Sequence, residues 1–105
     1  MSVSNAELLP EVIASKAAGK INTKLATMLQ LIANTTIEKR FAGHPLIDEM
    51  KGEAMVILVR CALDFNPSKS DNPLSFYYVI SYSAGIGIAS DDRKYQSTKE
   101  VFIDA

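Results

Sequence analysis

The chain has 105 residues, close to the size of one domain, and 48% of them are apolar, which supplies one modest core and argues against disorder. The formal net charge of -1 excludes a broadly basic nucleic-acid binder, so any DNA contact must come from a local cluster of cations. A single cysteine, Cys61, excludes an internal disulfide and fits a reducing compartment.

No basic N-terminus followed by an apolar run and a small-residue cleavage site opens the chain, so the expectation is a soluble cytoplasmic protein. A domain this small buries only part of its surface, which leaves room for reliance on a partner.

Ser4-Asn5-Ala6-Glu7 has capping-box spacing and can open a first helix. Pro10 is welcome only in a first turn, which moves the expected start toward Leu9. Leu8, Leu9, Val12 and Ile13 are its apolar positions, and Gly19 ends it between Lys16 and Lys20. A second helix is predicted over residues 22–41, where Leu25, Met28, Leu29 and Ile32 recur at helical spacing and Ile37 and Phe41 extend the stripe. Gly43 is its stop signal, and His44-Pro45 makes a short break.

A third helix is predicted over residues 46–65. Ile47, Met50, Ala54, Ile57, Leu58, Cys61 and Phe65 form one stripe, and Glu49, Glu53, Val56 and Arg60 form a second. Met55 and Val59 lie off the first stripe, so this helix reads as packed on two sides, one of them open to a partner.

Residues 66–73 are a loop by composition, with two Asn-Pro steps. A calcium loop is rejected, because Lys69 stands where glycine is needed and Ser75 where a bidentate Glu is needed. A fourth helix is expected over residues 74–84. A strand over residues 76–80 is the alternative, but the preceding segments leave it no sheet to join. The glycines of Gly85-Ile86-Gly87 weaken a helix, and residues 91–105 read as a polar C-terminal tail. Residues 72–90 carry no charge, yet their serines and tyrosines favour a helix buried in a core or against a partner over one crossing a membrane.

The expected fold is all-α: a small domain of three to four helices over residues 21–90, with a short N-terminal helical extension over residues 1–20.

No catalytic set is present. His44 is the sole histidine and sits in a turn, Cys61 lies on a core stripe, and Asp48-Glu49 and Asp91-Asp92 are neighbours that do not face each other on a helix. Gly85-Ile86-Gly87 lacks the third glycine and the preceding strand of a nucleotide loop and fits helix packing or a bend better. The expectation is a protein that binds rather than catalyses, with no metal and no cofactor.

The third helix and its flanks resemble a known pattern. Glu49, Met50 and Glu53 open an amphipathic helix that closes on Asp64-Phe65, as in the core-binding segment of sigma factor region two. Arg40-Phe41-Ala42-Gly43 before it, and the loop from Phe65 to Pro73 after it, are similar to the late-transcription sigma factors of T4-type phages. The similarity covers residues 25–83.

This resemblance implies a region-two-like fold and a role in redirecting transcription in a bacterial host. The partner would be core RNA polymerase, met through the clamp-helix coiled coil of its β′ subunit. The segment so implicated includes Asp48, Glu49, Lys51, Glu53, Val56 and Arg60, with Glu49, Glu53, Val56 and Arg60 as the docking face. An acidic rim around an apolar centre suits a basic coiled coil; an ordinary solvated helix face carries the same residue types. Promoter DNA contact would fall to Lys69, Tyr77, Tyr78, Tyr82, Arg93 and Lys94, with the tyrosines either stacking on bases or filling the core.

The chain departs from the family where a basic DNA-binding helix should follow: Gly85 to Ser90 and then Asp91 and Asp92 stand there instead. Residues 1–105 are expected to hold neither a second promoter-reading domain nor a sliding-clamp tail. Two alternatives therefore stand beside a sigma-like factor. One is a sigma mimic that occupies polymerase without promoter recognition of its own, as an inhibitor or a co-factor to another subunit. The other is a small helical protein that self-assembles through its fourth helix.

Overall fold

Ser4 caps the first helix, α1 (Asn5–Ala18), its hydroxyl oxygen accepting from the Glu7 N–H at 3.3 Å as the capping-box spacing predicts. The computed structural model describes residues 3–104 and the side chains of residues 3–91. The helix begins earlier than Pro10 led us to expect. Ala6, whose carbonyl loses its partner at Pro10, and Pro10 itself both lie on the exposed face, where water can satisfy the freed oxygen. Gly19 closes α1 in the left-handed conformation at φ 74, and its N–H returns to the Lys16 carbonyl at 3.2 Å.

The second helix, α2 (Thr23–Arg40), is capped by Asn22, whose Oδ1 accepts from the Leu25 N–H at 2.7 Å. Buried Ser15 of α1 accepts from the Asn22 N–H at 3.1 Å and so joins the two helices at their corner. Gly43 turns the chain at φ 78, and His44 Nδ1 accepts from the Leu46 N–H at 3.0 Å, which orders the entry to the next helix. His44 is thus a turn residue.

The third helix, α3 (Ile47–Cys61), is followed by a 3-10 turn over Ala62–Asp64, so the predicted single helix to residue 65 tightens in its last turn. Residues 66–72 form the expected loop, with Asn66 Oδ1 accepting from the Ser68 N–H at 3.0 Å.

The last helix, α4 (Pro73–Asp104), differs most from expectation. It does not stop near Ala84, and the polar tail after Ser90 is its continuation. Gly85 and Gly87 lower helix propensity without removing a hydrogen-bond donor, and no proline follows them. The helix also starts from a strong anchor. Asn72 Oδ1 accepts from the Ser75 N–H at 3.1 Å, and Asn5 Oδ1 accepts from the Leu74 N–H at 2.9 Å. Asn5 Nδ2 donates to Asn72 Oδ1 at 2.9 Å, so the start of α1 and the start of α4 are one joint.

The fold is all-α, and the possible strand over residues 76–80 is helix. One core holds it together. Leu8 and Val12 of α1, Leu25, Leu29 and Ile37 of α2, Met50 and Leu58 of α3 and Tyr77 of α4 are fully buried. Each buried side chain of this size contributes about 1.5–3 kcal/mol relative to exposure. Leu8 and Val12 place α1 inside this core, so it is more than an extension bracing the domain.

Two bonds fix the end of α3. Tyr77 Oη donates to the Ala62 carbonyl at 2.7 Å, and Lys16 Nζ donates to the Phe65 carbonyl at 3.0 Å. They satisfy carbonyls that a helix end leaves without intrahelical partners. Among the described residues, no helix is long and apolar enough to cross a membrane.

Candidate functional site

The inner face of α3 gives Met50, Ala54 and Leu58 to the core, which turns the opposite face outward. Glu49, Glu53, Val56 and Arg60 all lie on that exposed side. At 100° per residue they fall within about 60° of one another around the helix axis. The result is one stripe about 17 Å long, with two carboxylates at its start, a guanidinium at its end and an apolar residue between. Val56 keeps 51% of its surface in solvent, so it is not a packing residue of the core.

Two residues of the expected docking segment are not on this stripe. Lys51 faces α2, where its amine pairs with Glu38 at 2.7 Å. Asp48 is exposed but about a third of a turn away from the stripe. Their sequence neighbours made them candidates; the helical period separates them.

Beside the stripe, α3 and α4 border a groove of about 360 Å³. Glu53 and Ile57 form one wall, and Val79, Ser83, Gly87 and Asp91 form the other. Those four positions of α4 are spaced four apart and make one ridge. Sequence reasoning left residues 72–90 as a helix buried in a core or against a partner and did not single out this wall. The i, i+4 spacing of Val79, Ser83, Gly87 and Asp91 was the available signal.

Among the aromatic residues, Tyr77 is fully buried and cannot stack on a base. Removal from water holds its hydroxyl in the neutral form and pushes its pKa up to about 12. The packed position corrects the stacking role and keeps the core one.

Tyr78 and Tyr82 stack with their planes 5° apart and centroids 6.4 Å apart. The Arg40 guanidinium carbon lies 5.4 Å from the first ring centre and 5.6 Å from the second. Arg40 Nε also donates to Tyr78 Oη. Phe41 stacks on Tyr82 at 5.8 Å. A base stacking on Tyr82 would meet faces already used by Arg40 and Phe41. The sequence singled out Arg40 only as part of Arg40-Phe41-Ala42-Gly43, and its contacts with Tyr78 and Tyr82 were not legible because those partners are in another helix.

Lys69 is exposed in the loop before α4, more than two helical turns from Tyr82, so the two do not form one patch. The side chains of Arg93 and Lys94 lie outside those described.

A second groove of about 530 Å³ opens between α1, α2 and the start of α4, with Leu31, Leu74 and Tyr78 on its walls and Lys39 at its border. Cys61 is half-buried on α3. Among the described residues no three metal-ligating side chains gather. Compared with known proteins, the chain matches no family model, no curated protein and no solved structure.

Proposed function

We propose that this chain is a sigma-like factor, of the kind made by phages, that binds the core RNA polymerase of a bacterial host and redirects initiation. It works by binding, in the host cytoplasm, without a cofactor. The observation that carries this reading is the single outward stripe of Glu49, Glu53, Val56 and Arg60 on a helix whose other face is core. It unites the four residues that the sigma resemblance makes the docking face. The partner is the β′ clamp-helix coiled coil, whose basic character complements the acidic start of the stripe. Charge at the border steers the encounter and sets register, while the apolar centre contributes affinity.

A second reading is favoured by two observations on α4. Tyr77 is committed to the core, and Gly87 and Asp91 stand where a DNA-binding helix would present cations. On that reading the chain occupies the polymerase site but leaves promoter recognition to another subunit or blocks it.

The test is gel filtration with purified core RNA polymerase, using the Glu49→Lys/Glu53→Lys double variant as control. Co-elution lost in the variant is the expected result. Promoter opening by the complex then separates the factor from the mimic. Failure of the unmodified chain to co-elute, with oligomers that grow with concentration, would replace both readings by self-assembly.

A further inference from the structure

We propose that the groove between α3 and α4 receives a partner helix that carries an apolar stripe with lysine or arginine at one end, and that this helix crosses closest at Gly87. The inference rests on the reading that the outer side of α3 docks a polymerase, and it extends that surface onto a second helix.

The two glycines of α4 differ in what they do for this chain. A Cβ at Gly85 would collide with the Phe41 ring, with the ring Cζ only 2.8 Å away, so internal packing requires glycine there. A Cβ at Gly87 would meet nothing within 4 Å. Gly87 is therefore unfavourable in a helix interior and gains nothing from its own fold. Bare backbone on the wall of an open groove permits another backbone to approach closely.

The rest of the groove fits the same occupant. Val79 has 57% of its surface in solvent and lies two turns before Gly87 on the same ridge, and Ile57 lines the wall opposite. Glu53 and Asp91 both line the groove, and Glu49 lies one turn from Glu53 along α3. Apolar surface with carboxylates at one end is complementary to an amphipathic helix with cations at the matching end. Glu53 belongs to both the groove and the stripe, so the two are one continuous surface.

The experiment measures affinity for core RNA polymerase with Gly87→Leu, which fills the groove, and with Val79→Lys, which places a charge against the partner's apolar stripe. Thermal melting accompanies each. Gly87→Leu improves helix propensity and is expected to melt no lower than the unmodified chain. Both variants are expected to weaken binding about tenfold or more.

Unchanged affinity in both, with binding still abolished by Glu49→Lys/Glu53→Lys, would overturn the groove and leave the α3 surface standing. No binding by the unmodified chain would overturn both.

Discussion

The hydroxyl of Tyr77 donates to the carbonyl of Ala62 at 2.7 Å, inside the core, and so ties the fourth helix to the end of the third. Tyr77→Phe keeps the ring but leaves that buried carbonyl without this donor. The expected loss is about 1–3 kcal/mol in unfolding free energy, read from chemical denaturation.

The same hydroxyl gives the fold a dependence on alkaline pH. Its pKa is raised by burial to about 12, from 10.0 for a solvated tyrosine. Between these values the unfolded chain loses the proton and the folded chain keeps it, so the folded state binds more protons and stability falls as pH rises. The stabilising contribution is fully present below pH 10 and lost through pH 12. The whole separation corresponds to about 3 kcal/mol. Denaturation midpoints between pH 9 and 12 should therefore fall in the unmodified chain and fall less in Tyr77→Phe. Equal slopes would show that Tyr77 is not the titrating group.

Gly85 lets α4 approach the end of α2. An alanine there would drive its Cβ into Phe41 and bring it to 3.0 Å from Ile37 Cδ1. Overpacking of this kind costs about 1–3 kcal/mol, partly offset by the better helix propensity of alanine, about 1 kcal/mol. Gly85→Ala should lower the thermal midpoint, and Gly85→Ala/Phe41→Leu should recover part of it. An alanine variant as stable as the parent chain would mean that Phe41 moves freely.

The shared cap of Asn5 and Asn72 makes a fourth prediction. Asn72→Ala removes an acceptor from the Ser75 N–H, and Asn5→Ala removes one from the Leu74 N–H. Each should cost about 1 kcal/mol. Because the two side chains also bond each other, the double variant should cost less than the sum of the singles. Strict additivity in a double-mutant cycle would exclude the joint.

How far the fold was legible depended on whether a local signal or a distant partner decided the matter. The second helix was predicted over residues 22–41 and spans Thr23–Arg40 with Asn22 and Phe41 as caps, because its stripe and its stop signal are both local. The end of α4 was missed because two glycines were read as weakening the helix, whereas one of them is set by Phe41 from another helix. Tyr77 was left between base stacking and the core, and Ser81 interrupts the apolar pattern one turn on. The structure hides that serine by letting its hydroxyl donate to the Tyr77 carbonyl at 3.0 Å. The α3 stripe was visible from spacing alone. Its continuation across the groove needed the register of α4 against α3, which no single helix encodes.

That stripe carries opposite charges at its two ends, and this gives the last prediction. Glu53 is exposed near the start of the outer face of α3, and Arg60 is exposed two turns later on the same side. If a complementary helix lies along them, each charge meets its opposite, and reversing either one creates repulsion rather than a mere loss. Glu53→Lys should therefore weaken polymerase binding more than Glu53→Gln, and Arg60→Glu more than Arg60→Gln. Exposed charges act mainly on the encounter, so the association rate should carry most of the neutral variants' effect. That rate should fall as salt rises from 0.05 to about 0.5 M, as the screening length shrinks from above 10 Å to below 5 Å. Surface plasmon resonance against immobilised core RNA polymerase reads both rates. A charge reversal no worse than its neutral counterpart would place Glu53 and Arg60 outside the contact.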